Sequence, residues 1–220
     1  MDWIRSDSST SFLFWLYGPA GAGKTAILQA IAEFLCSQSE AEFLRSQSES
    51  EFLYGQSESE FPRSQSESES SHNFGGSFFF SRGKTGRDQG HFLFSTIAYQ
   101  LALKVPGLRQ HLNRIMLLDP TLHTKSMDVQ LRTLIVDAFQ NLSPLPQRPY
   151  LVIIDGLDEC HDKAAQQSIL RLMCESITVH KLPLRFLVGS RPESHIRTSF
   201  DQESLYTITH RVVQIGRAHV

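Results

Sequence analysis

The sequence predicts an α/β fold, a three-layer sandwich with a mainly parallel central sheet. Three observations carry this. Short apolar runs without polar alternation recur along the chain, as in strands buried on both faces. Segments of helical period lie between them, and strands alternating with helices imply parallel pairing. Polar residues with chemical potential follow the apolar runs at once, where open parallel sheets place their ligands.

The first buried strand is expected over Phe12 to Tyr17. Gly18-Pro19-Ala20-Gly21-Ala22-Gly23-Lys24-Thr25 follows and fits G-x-x-x-x-G-K-[ST] at every fixed position. Ala26, Ile27, Ala30, Ile31, Phe34 and Leu35 then recur at helical spacing. Strand, glycine loop and helix in this order are the context the phosphate-binding motif requires, so the expected fold is that of a P-loop NTPase. A phosphate chain needs a ring of backbone N–H donors, and glycines let the backbone wrap that closely. The helix aims its positive end at the same anion. Gly18 to Thr25 are therefore the nucleotide-binding candidates. Lys24 can reach the β- and γ-phosphates, and the Thr25 hydroxyl can ligate Mg²⁺.

A P-loop needs an acidic partner at another strand tip. Tyr150 to Ile154 is apolar and β-branched and ends on Asp155, placed to orient the Mg²⁺ shell. Asp158 and Glu159 follow on the same loop, and either can polarise an attacking water as general base. Leu184 to Gly189 repeats the pattern, with Ser190, Arg191 and Pro192 at its tip. A guanidinium there can bind a terminal phosphate bidentately, which makes Arg191 a γ-phosphate sensor candidate. Ser77 to Ser81 supplies one more strand, followed by a basic loop with Arg82, Lys84 and Arg87, which reads first as solvated surface. Helices are expected over His91 to Lys104, Gly107 to Leu118, Asp128 to Phe139 and Ala164 to Thr178.

Composition limits the possibilities. The 220 residues are enough for one sizeable domain. The net charge of −2 gives no footprint for nucleic acid or an anionic membrane. Ser37 to Ser71 holds eight Glu against two Arg, so the rest of the chain is basic by four charges, which suits a phosphate ligand. Three scattered cysteines make neither a disulfide framework nor a zinc site, and Phe12 to Tyr17 is too short to span a bilayer. A cytoplasmic protein is expected.

From Ala32 a nine-residue phrase repeats, with copies beginning at Ala32, Ala41, Ser50 and Ser59 and a clipped fifth at Ser68. A nine-residue step turns an α-helix by about 2.5 turns, so Phe34, Phe43, Phe52 and Phe61 alternate between opposite faces and form no stripe. Gly55 and Pro62 break either regular structure, and Ser, Glu and Gln dominate. Residues 37–72 are therefore expected to be a disordered low-complexity insertion in an NTPase domain of residues 1–214. Ile215 to Val220 (IGRAHV) reads as translated sequencing-adapter DNA, and the whole as a fragment.

The stretches WLYGPAGAGKTAI, GSFFFSRG, FSTIAYQLA, VIIDGLDEC and LPLRFLVGSRPESHI together resemble the NACHT-type, nephrocystin-like N-terminal NTPase domain of fungal NLR-like proteins, from about Asp2 to Phe200. The resemblance implies a signal-transduction (STAND) NTPase that holds ADP when off, exchanges it for ATP to self-associate, and turns over slowly. It implies roles in nonself recognition or programmed cell death. Gly18 to Thr25 would be the nucleotide loop, Asp155 the Mg²⁺ acid, Asp158 and Glu159 the extended acidic motif, and Arg191 the sensor. Such proteins add an N-terminal effector and C-terminal repeats, neither of which is in this sequence. ATP and ADP are the expected ligands, with GTP open. Two other readings stand beside this one: a module that binds nucleotide without significant hydrolysis, and a housekeeping P-loop ATPase or kinase.

Overall fold

The computed structural model describes residues 11–53 and 73–214, and only the backbone of residues 40–53. The expectations for residues 54–72 and 215–220 lie outside the described residues.

Five strands form one parallel sheet. They are β1 (Leu13–Tyr17), β2 (Asn73–Phe79), β3 (Tyr150–Asp155), β4 (Leu184–Ser190) and β5 (Thr209–Val213). Their order across the sheet is β2-β3-β4-β1-β5, with every pairing parallel. The consequence for function is direct. β4 lies between the strand that opens into the glycine loop and the strand that ends on Asp155, so three strand tips stand side by side.

The side-chain alternation of the strands builds two cores. Leu16, Leu151, Ile153 and Leu187 face the first helix, α1 (Lys24–Leu53), and pack on its Leu28, Ala32 and Leu35. Leu13, Trp15, Val152, Ile154, Phe186 and Val188 face the opposite side. There they meet α2 (Leu93–Lys104), α3 (Leu108–Leu118), α4 (Met127–Gln130), α5 (Asp137–Gln140), α6 (Lys163–Thr178), α7 (Ser194–Asp201) and α8 (Glu203–Tyr206). A π-helical run, Leu131–Val136, joins α4 to α5, so the helix expected over Asp128 to Phe139 is one continuous coil with a widened middle. Val152, Ile153 and Ile154 have no exposed surface, and each such side chain contributes about 1.5–3 kcal/mol through burial.

The sequence-level expectation for the repeat needs correction. Residues 37–53, read as the start of a disordered insertion, continue α1, which runs unbroken for 30 residues. The reason is local. Ala, Leu, Glu and Gln favour helix, and a helix already nucleated by packing extends without needing a continuous apolar stripe. The Ser37 and Ser39 hydroxyls add bonds to the carbonyls of Phe34 and Cys36, at 2.8 and 2.9 Å. Among the described side chains of α1, packing on the sheet extends to Leu35 and Cys36, and Ser39 receives the Lys104 ammonium at 3.1 Å. We therefore expect deletion of Ala41 to Ser68 to leave nucleotide affinity unchanged and thermal stability within about 1 kcal/mol, because loop length enters closure entropy only logarithmically. Calorimetric titration and a melting curve check this. A large loss of affinity or of folding would make the repeat a structural part of the domain.

β2 begins four residues before the expected Ser77. Gly75-Gly76 sits inside the strand, where the register shifts between Phe74 and Gly76. β2 is a sheet edge, and the Gln100 side chain serves as its missing neighbour. Gln100 Oε1 accepts from the Ser77 N–H and Gln100 Nε2 donates to the Ser77 carbonyl, both at 2.8 Å. α7, α8 and β5 were not expected from the sequence. Among the described residues, no helix is long and apolar enough to cross a membrane.

Candidate functional site

The glycine loop leaves β1 at Tyr17 and enters α1 at Lys24. Gly21 and Gly23 take positive φ angles of 74° and 85°, which side chains rarely tolerate, and a Cβ at either would meet nothing within 4 Å. The two glycines are therefore required by their backbone conformation rather than by crowding. Lys24 Nζ donates to the carbonyls of Gly18 and Pro19, both at 2.9 Å, so the ammonium bridges the start of its own loop.

Asp155 is 2% exposed at the end of β3. Burial pushes its carboxyl above the usual carboxylate range. The Thr25 side chain, the Gly156 N–H and the Lys24 charge pull the other way, and the Asp158 charge adds to the rise. Thr25 and Asp155, from separate strand–loop units, therefore face one another. One hydroxyl and one carboxylate are the sparse protein share that Mg²⁺ takes when phosphate oxygens and water complete its shell. Gly189 on β4 makes this possible, because a Cβ there would collide with the Asp155 carboxylate and the Leu28 side chain.

Asp158 and Glu159 occupy a short turn after β3 and have different partners. Asp158 is 3% exposed. Its Oδ1 accepts from the Arg191 N–H at 2.8 Å, and its Oδ2 lies 3.1 Å from Arg191 Nε. The Arg191 side chain remains 44% exposed. Glu159 is half-buried, and its Oε2 accepts from the Arg82 N–H at 3.1 Å. Arg82 also reaches the Asp158 carbonyl with its guanidinium at 3.2 Å, and the His161 N–H donates to the Asp88 carbonyl at 2.7 Å. The loop after β2, expected to be mere solvated surface, is stitched to the acidic turn. Thr25, Glu159, Lys84 and Arg87 line a cleft of about 650 Å³ beside the glycine loop.

All the expected site residues thus gather at the carboxyl ends of β1, β3 and β4. Sequence reasoning missed the residues behind them. Trp15 Nε1 donates to Ser190 Oγ at 2.8 Å, tying the tip of β4 to β1, and its ring stacks on Phe200 with centroids 4.1 Å apart. Gln166 and His195 lie under the acidic turn. A signal for Gln166 existed: it shares the buried face of α6 with Ile169, Leu170, Met173 and Ile177, and a polar residue on an apolar helical stripe needs a partner.

The fold and the glycine loop define a P-loop nucleotide-binding domain. Residues 1–191 match the family described as nephrocystin 3, N-terminal, and the chain belongs to that family. No curated protein matches it. Among solved structures, Drosophila ORC bound to poly(dA/dT) DNA and Cdc6 is similar at 14% identity and a TM-score of 0.29. That match covers 88% of this chain but 31% of the other, so the chain spans about a third of that protein's length, and the likeness is too slight to assign a ligand.

Proposed function

We propose that this domain binds ATP with Mg²⁺ and hydrolyses it slowly, as the regulatory switch of a larger signal-transduction NTPase. The observation that carries the reading is the strand order β3-β4-β1, which brings the glycine loop, Asp155 and Arg191 to one edge of the sheet. Gly18 and Ala20 to Gly23 offer backbone N–H donors to the phosphates, whereas Pro19 has none. Lys24 exchanges its carbonyl partners for phosphate oxygens, and Thr25 and Asp155 hold the metal ion, which neutralises phosphate charge when bound. Glu159, rather than Asp158, is the residue to orient and deprotonate water. Asp158 is committed to Arg191, whereas Glu159 faces the open cleft beside Thr25. Arg191 meets the terminal phosphate. GTP fits the same cradle, since every contact named is to phosphate or metal.

By resemblance, the full-length protein alternates between an ADP-bound resting state and an ATP-bound self-associating state in nonself recognition or programmed cell death, within the cytoplasm. A second reading, tight binding without hydrolysis, is favoured by one observation: the Arg82 amide occupies a Glu159 oxygen. A single-turnover assay with γ-labelled ATP separates the two. Release of labelled phosphate from bound ATP, lost in Glu159→Gln, supports the slow-hydrolysis reading. Stable bound ATP without release supports the second. No binding of either nucleotide would sink both.

A further inference from the structure

We infer that Gln166 and His195 are positioning residues that set how strongly this site prefers a nucleoside triphosphate over the diphosphate. The inference rests on the nucleotide reading above.

Gln166 is 2% exposed on α6, and its whole amide is spent on three neighbours. Its Nε2 donates to the Cys160 carbonyl at 2.7 Å and lies 3.5 Å from the Asp158 carbonyl. With the nitrogen turned to two carbonyls, the amide oxygen must face His195, whose Nε2 lies 2.6 Å from it. An amide oxygen cannot donate, so His195 carries its hydrogen on Nε2. The other ring nitrogen, Nδ1, is 3.8 Å from the Glu193 carboxylate. His195 belongs to the first turn of α7, four residues beyond Arg191.

These contacts close a ring. Arg191 holds the Asp158 carboxylate. The turn carrying Asp158 hangs on Gln166, and Gln166 is fixed by His195. His195 returns through the start of α7 to Arg191. Each link joins a different element: the turn after β3, α6, and α7 with the tip of β4. The bond from Trp15 to Ser190 fastens the ring to β1, which opens into the glycine loop. Buried hydrogen bonds of this kind are costly to leave half made, so loss of one link weakens the others.

Arg191 is not fully used by the ring. Asp158 Oδ2 is buried without an aligned hydrogen bond, and much of the guanidinium remains exposed. It is held by charge and proximity on one side and is open on the other. A terminal phosphate brings an anion that a diphosphate lacks. Where Arg191 stands relative to that phosphate is decided by the ring, and hence by Gln166 and His195, which do not touch nucleotide.

The test is the ratio of ATP to ADP dissociation constants, measured with Mg²⁺ by calorimetry on the full chain. Wild type is expected to favour ATP. Gln166→Leu and His195→Leu are each expected to reduce that preference about tenfold, the size of one misplaced charge-assisted hydrogen bond, with ADP affinity unchanged. His195→Gln, which keeps a donor in place, is expected to restore it. Arg191→Ala is expected to lose the same preference, with no further loss when combined with His195→Leu. If Gln166→Leu does not fold, the His195 pair carries the test alone. Equal weakening of both nucleotides, or a preference unmoved by His195→Leu, overturns the inference and leaves the nucleotide reading intact. A wild-type chain that binds neither nucleotide overturns the nucleotide reading itself.

Discussion

Lys24→Ala is expected to abolish measurable binding of ATP and ADP while leaving the fold in place. The ammonium is half-buried and, without ligand, satisfied only by two carbonyls of its own loop. Removing it costs the folded protein little, about 0.5–1 kcal/mol, as for other side chains outside the core. Removing it from the complex leaves β- and γ-phosphate charge without its cation. We expect affinity to fall at least about 100-fold, or about 2.7 kcal/mol, as for loss of a strong charge-assisted contact. Titration calorimetry with a melting curve on the same sample reads both quantities. A variant that melts normally and binds nucleotide as wild type does would remove Gly18 to Thr25 from the site.

Asp155→Asn acts in the opposite direction on stability. Burial raises the Asp155 pKa above its unfolded value, so the stability linked to this group is complete below the unfolded pKa. It is lost as pH rises through the folded pKa. At neutral pH, above the unfolded pKa, the raised folded pKa costs the ligand-free protein stability, and asparagine, which does not ionise, removes that cost. Asp155→Asn should therefore raise the melting temperature at neutral pH, by about 2–4 °C for each kcal/mol in a chain of this size. The gain should shrink as pH falls toward the ordinary carboxylate range. The same substitution should eliminate the Mg²⁺ dependence of ATP binding, because it removes the carboxylate proposed to hold the metal. Melting curves across pH, with and without Mg²⁺ and nucleotide, measure both effects. An unchanged melting temperature combined with intact Mg²⁺ dependence would contradict the assignment.

The two predictions rest on parts of the molecule that the sequence showed clearly. β1, β3 and β4 are buried on both faces, so their composition alone marks them, and glycine or acidic residues end each one. The loop of Gly18 to Thr25 has a spacing that few other structures need. What was illegible has a common cause. Gln100, Gln130 and Gln166 belong to no motif, yet each side chain substitutes for backbone. Gln100 completes β2. Gln130 joins Ser95 N–H to the carbonyls of His123 and Lys125, and Gln166 holds the acidic turn. The Ser77 partner of Gln100, the Ser95 partner of Gln130 and the His195 partner of Gln166 lie 23 to 35 residues away, although the place of Gln166 on an apolar helical stripe does signal its need for a partner. β5 escaped notice because it is short and partly exposed, and its residues Thr209, His210 and Arg211 give no apolar run. The length of α1 was misjudged for another reason: the absence of a stripe argues against packing, not against helix.

Gln100 has a consequence for solubility. β2 carries the phenylalanine-rich, uncharged segment NFGGSFF at the rim of the sheet. Such a rim invites a second molecule to add itself through backbone pairing, the first step toward aggregates. By filling the outward N–H and C=O of Ser77, Gln100 leaves an incoming strand nothing to pair with at the middle of the rim. One side chain from a neighbouring helix thus keeps a sticky sequence from propagating itself.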